Sequence, residues 1–114
     1  MSSNITIDEL ARYFVAASNS QKCLFLSLYA SELSTLMRGY FFDGDNEKAK
    51  RCNESLHRIL GGIVVLARNR SIEDAASFIE MIASGSKQRG LESVLLRTFE
   101  ETAGQNLKTS ETGL

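Results

Sequence analysis

Apolar residues recur at helical spacing through nearly the whole of this chain, and no proline stands anywhere in it to break the pattern. A chain of that kind has few ways to fold. Strand alternation is missing, so its apolar stripes must be buried helix against helix. The expected fold is an all-α, single-domain bundle of about five helices, with short connections making sequential helices antiparallel neighbours. At 114 residues, 43% of them hydrophobic and 24% charged, the chain has room for one core and ordinary globular proportions.

Start and stop signals divide the pattern. Thr6-Ile7-Asp8-Glu9 has the form of a capping box and opens a first helix to about Ser18, with Leu10, Ala11, Phe14, Val15 and Ala17 on its apolar face. Asn19 and Ser20 supply the next cap. Gln21 to Arg38 then reads as a long central helix, apolar on several sides and ended by Gly39. After Tyr40-Phe41-Phe42, the run Asp43-Gly44-Asp45 is turn chemistry, with either aspartate able to cap a third helix from Asn46 to Arg68. Its seam is Ala49, Cys52, Leu56, Ile59, Leu60, Ile63 and Ala67, in register through Gly61-Gly62, which marks either a kink or a close helix crossing. Ser71-Ile72-Glu73-Asp74 signals a fourth helix over Ile72 to Ser84 that Gly85 stops, and Leu91, Val94, Leu95, Thr98 and Phe99 a fifth that Gly104 stops. Residues 1–104 are thus the expected bundle, and residues 105–114, nearly free of apolar side chains, the expected flexible tail.

Charge and cysteine content narrow the class. Thirteen Lys and Arg against 14 Asp and Glu leave a formal charge of -1, so no overall field draws the protein to phosphate backbones or an anionic membrane. Cys23 and Cys52 each sit within a helical apolar pattern, as small core residues do, and two cysteines do not make a disulfide framework or a four-ligand zinc site. The first ten residues lack a basic segment followed by an apolar run, and the longest apolar stretch, Ile63 to Ala67, is far short of a membrane span. A reduced, cytoplasmic protein is expected.

Few constellations could carry chemistry. Glu54 and His57 form a Glu-x-x-His pair on one helical face, the half-motif of di-iron carboxylate bundles. With one His in the chain, such a site would have to be completed across a symmetric dimer, with Glu32 as a further carboxylate. An i,i+4 ion pair of Glu54 with Arg58, beside a boundary histidine, explains the same residues without metal. Asp43, Asp45, Glu47 and Glu54 fall at positions of a calcium-loop pattern, but Lys48 stands where the turn demands glycine and Lys50 where an apolar residue belongs. Lys48, Lys50, Arg51, Arg58, Arg68 and Arg70 make the third helix basic, yet Glu47 and Glu54 interleave and no aromatic residue is present there for base stacking. Nucleic acid is therefore not the favoured partner. Nucleophilic catalysis has only His57 to draw on, so no enzyme activity and no cofactor are expected.

What remains is surface for protein partners. Phe25, Tyr29, Tyr40, Phe41 and Phe42 exceed the obvious needs of one helix and its exit, and Ile63-Val64-Val65-Leu66 is apolar on all sides. Phe25, Tyr29, Tyr40, Phe41, Phe42, Val64 and Val65, with Arg51 and Arg58 as charged anchors, are the candidate partner-binding residues. The competing reading buries these aromatic and aliphatic groups inside the bundle.

The run from Leu28 to Leu60, with Asn53, Glu54, His57 and Arg58 at the head of a central helix, resembles a group of small bacterial helical proteins that share an Asn-Glu-x-x-His-Arg segment. That resemblance implies an all-helical fold and carries no activity. The rhythm of an apolar helix, a Gly-Asp turn and a long helix is similar to that of flagellar export chaperones, which would imply a groove for a helical client. The reading that follows is a small cytoplasmic adaptor, regulator or chaperone-like protein that pairs first with itself, through helices two and three. A di-iron-type metal-binding bundle completed across a homodimer is the alternative, and a nucleic-acid-binding regulator is the third reading.

Overall fold

Five helices and no strand form among the described residues of the chain, whose structure here is a computed structural model covering residues 6–112, with the backbone alone described for Ile7 and for residues 103–112. They are α1 (Ile7–Ala16), α2 (Asn19–Phe42), α3 (Asn46–Ala67), α4 (Ala75–Gln88) and α5 (Glu92–Thr112). The molecule measures 49 × 37 × 22 Å. Its least dimension is that of two helix layers, each about 10–12 Å across with side chains.

Helix starts are set by side-chain caps. Thr6 Oγ1 accepts from the Glu9 amide at 3.2 Å, as the capping signature predicts. Asp45, one of the two aspartates expected to cap α3, accepts from the Lys48 amide at 3.2 Å. Two starts differ from expectation. Ser18, not Asn19 or Ser20, opens α2 in a reciprocal capping box with Gln21, so α1 ends two residues early. Asp74, not Ser71, caps α4: its carboxylate accepts from both the amide and the hydroxyl of Ser77, which holds its pKa below the usual carboxylate value.

Helix stops differ more. The residues that leave α-helical space with positive φ are Gly44 at 80°, Asn69 at 57° and Gly90 at 74°, and these break the chain between α2 and α3, after α3 and between α4 and α5. Gly39, Gly85 and Gly104, expected as stops, lie inside α2, α4 and α5. The chain ends 1–5 and 113–114 lie outside the described residues, as do the side chains of the rest of the expected tail.

Packing centres on the α2–α3 hairpin. A three-residue turn folds two long helices onto each other, and α3 presents small side chains to the seam: Ala49, Cys52, Ser55 and Gly62 are buried beside Ile59 and Leu66. Against them α2 buries large ones, Phe25, Leu26, Tyr29 and Leu33, all fully enclosed. Small facing large lets the two axes approach closely. The seam is thus rotated from the expected one, and Leu60 and Ala67 face outward. Helix α1 lies chiefly against α4 rather than against α2, its sequence neighbour, and buries Leu10 and Phe14. Val15, expected on that apolar face, is 50% exposed. Helix α5 closes the core with Leu95 and Phe99, together with Leu91 just before it. Its buried Thr98 and Thr102 hydroxyls donate to the carbonyls of Val94 and Thr98, both at 2.9 Å, so neither is left unsatisfied.

The glycine pair of α3 divides in function. A Cβ on Gly62 would lie 2.5 Å from the tip of the Phe78 ring and 3.3 Å from a Leu26 methyl, so Gly62 is a close crossing. A Cβ on Gly61 would meet nothing within 4 Å. Gly61→Ala is therefore expected to raise stability by about 0.5–1 kcal/mol, the helix-propensity gain of an unobstructed site. Gly62→Ala is expected to lower it by about 1–3 kcal/mol through overpacking. Thermal or urea denaturation of the two variants checks both signs.

Candidate functional site

Tyr29, Cys52, Ser86 and Arg89 meet where α2, α3 and α4 converge. Tyr29, fully enclosed, hydrogen-bonds through its hydroxyl to Ser86 Oγ at 2.6 Å, tying α2 to α4 across 57 sequence positions. Burial pushes the Tyr29 pKa up from 10.0 to about 12, the Cys52 thiol adding to the rise while the Ser86 bond and the Arg89 charge oppose it. Cys52 is itself buried, and its pKa is raised by loss of solvent. Desolvated and protonated, it is a packing residue rather than a nucleophile. Half-buried Cys23 is also a free thiol.

Arg89 bounds this cluster on the solvent side. Its side chain is only 16% exposed, donates from Nη1 to the Gly85 carbonyl at 3.2 Å, and lies 4.0 Å from the Glu54 carboxylate. A Cβ on Gly85 would stand 2.7 Å from that guanidinium, so the glycine expected as a helix stop instead leaves room for the arginine. Ser86 and Arg89 were beyond the expected end of the fourth helix, and no local signal marks them. Only the continuation of α4 through Gly85 brings them to Tyr29.

The sequence-derived metal candidates are not assembled within one chain. Glu32 is engaged by Arg97 at 2.8 Å, Glu54 faces Arg89 rather than Arg58, and His57 is exposed. No group of three or more His, Cys, Asp or Glu able to hold a metal ion forms among the described residues.

The partner-binding candidates separate by burial. Phe25 and Tyr29 are fully enclosed, stacked on each other at 6.5 Å between ring centroids, and so offer no surface to a partner. They are core because α2 has neighbours on several sides. Tyr40 is half-buried, with the Lys48 ammonium 5.6 Å above its ring. Phe41 and Phe42 are 64% and 93% exposed, and Val64 46%. Leu24 and Leu60, which lie in runs the helical pattern assigns to core, are likewise more than a third exposed, as is Met81. Val65 is half-buried in a groove of about 510 Å³ between α3 and the segment leading to α4, where Ile72 and Phe78 supply apolar wall and Arg58 and Arg70 charge. Arg51 is exposed near the head of α3. No helix among the described residues is long and apolar enough to cross a membrane.

Comparison with protein-family models, with curated proteins and with solved structures finds no match to this chain. Its chemistry is read from its own side chains.

Tyr29 gives a pH signature. Its raised pKa means that the folded state holds the proton to higher pH than the unfolded chain does. The contribution is therefore complete below pH 10 and lost as pH rises to about 12. Denaturation across that range is expected to show a fall on the order of 2–3 kcal/mol that Tyr29→Phe removes. The same variant should be less stable at neutral pH by about 1 kcal/mol, the net value of one buried hydrogen bond.

Proposed function

We propose that this protein works by binding other protein, a second copy of itself first, as a cytoplasmic homodimer joined through the outer surface of α2 and α3. The observation that supports the reading is the apolar exposure on these two helices. Leu60 and Val64, one helical turn apart on α3, stand out from the bundle with Leu24 of α2, and Phe41 and Phe42 project where α2 ends. The interior has no shortage of large side chains, so these are not residues for which the core lacked space. A phenylalanine 93% exposed at the end of a capped helix gains only from a partner that covers it, about 1.5–3 kcal/mol once buried. The role that fits is an adaptor or regulator whose activity lies in what it holds together.

Light scattering coupled to size exclusion tests the reading directly. A dimer is expected, with Leu60→Glu plus Val64→Glu converting it to monomer and Phe42→Ser weakening it, all three sites being exposed enough for the fold to survive. A monomer for the unmodified chain at high micromolar concentration would refute self-association. A dimer indifferent to all three changes would place the interface elsewhere.

A further inference from the structure

We infer that the junction of α2, α3 and the α4–α5 turn is a binding site for a small phosphate-bearing ligand, held by Lys48, Arg51 and Arg89. A cavity of about 200 Å³ opens there, lined by Tyr40 of the last turn of α2, Lys48 and Arg51 of α3, and Arg89, Gly90 and Leu91 of the turn. Two different parts of the fold, α3 and the α4–α5 turn, thus bring cations to one depression, and none of its lining residues is acidic. It is smaller than the roughly 300–1,000 Å³ that drug-sized ligands occupy, which suits an oxyanion group with at most a short attached body.

The three cations are not equally neutralised. Lys48 has Asp45 at 3.7 Å and Arg89 has Glu54 at 4.0 Å, both outside the cavity wall. Arg51, one turn after Lys48 on the same face of α3, makes no ion pair among the described residues. The positive excess therefore sits at the cavity itself. Arg89 is mostly desolvated and held in place by the Gly85 carbonyl, so part of its ordering is done before a ligand arrives. Arginine forks match phosphate oxygens bidentately, and Lys48 adds a mobile point charge.

The start of α5 contributes to the same end of the cavity. The Leu95 amide donates to the Leu91 carbonyl at 3.1 Å, which makes Leu91 the residue flanking the helix, and a leucine side chain cannot cap the first free amides. Gly90, at φ 74°, turns the chain so that this end follows directly on Arg89. The dipole of α5 adds to the field of the three cations.

The test is a titration of inorganic phosphate into the full chain at neutral pH, with chloride held at physiological strength, followed by backbone-amide NMR at Arg51, Gly90 and Leu91. Saturable shifts at these positions are expected. Arg51→Gln and Lys48→Gln, both exposed and so neutral to folding, are each expected to weaken binding at least tenfold, whereas Arg70→Gln in the separate groove leaves it unchanged. A second titration with glycerol phosphate separates the two sources of the same chemistry. Tighter binding than inorganic phosphate supports a phosphomonoester whose body lies in the cavity mouth, and equal binding supports the free anion. Shifts that never saturate, that chloride alone reproduces, or that survive Arg51→Gln unchanged overturn the proposal.

Discussion

The approach of three helices at Gly62 sets the geometry on which the rest of the bundle depends. Because α3 carries no side chain there, the tip of the Phe78 ring from α4 and a methyl of Leu26 from α2 both reach its backbone. Phe78 in turn lies 6.2 Å from the Phe14 ring of α1, Phe14 lies 6.2 Å from Phe25 of α2, and Phe25 stacks on Tyr29, whose hydroxyl returns to α4 at Ser86. One missing methyl group thus seats a circuit of aromatic rings that joins α1, α2 and α4. Interiors packed as densely as crystals do not absorb an added group at such a point without moving several neighbours.

The only polar link in that circuit, Tyr29 to Ser86, does a different job from the rings. Apolar contacts tolerate small slides of one helix along another, whereas a 2.6 Å hydrogen bond between enclosed hydroxyls fixes the register of α2 on α4 and is costly to leave unmade. No described buried side-chain N or O atom lacks a partner. Polar groups inside the bundle are spent on holding it together, so binding chemistry falls to the surface, where Lys48 and Arg51 lie and where Phe42 stands almost bare.

Much of this architecture was legible in the sequence. The number and order of helices, the Thr6 and Asp45 caps, the Asp43-Gly44-Asp45 turn and most of the core follow from periodicity and turn chemistry, which are local. What was not legible depends on contacts between distant residues. A glycine reads alike whether it supplies a left-handed turn, as Gly44 and Gly90 do, or space for a neighbour, as Gly62 and Gly85 do, and only the neighbour decides. The misplaced end of α4 hid Ser86 and Arg89, and with them the partners of Tyr29 and Glu54. Exposure along one apolar run is likewise decided by distant neighbours. Phe25 and Leu24 are adjacent residues of one apolar run, but the first points into the aromatic circuit and the second away from it.

The pairing of α1 with α4 bears on how the chain must come into being. Synthesis delivers α1 first, yet the helix against which it chiefly packs is made only after all of α2 and α3. The hairpin of α2 and α3, joined by a short turn and rich in local contacts, can assemble in that interval. Leu10 and Phe14 meanwhile have no α4 to cover them, and Phe25 waits for Phe14. A hairpin that closes in that interval carries an open aromatic face until α4 arrives. The speed with which α4 follows decides how long that face is offered to anything else nearby.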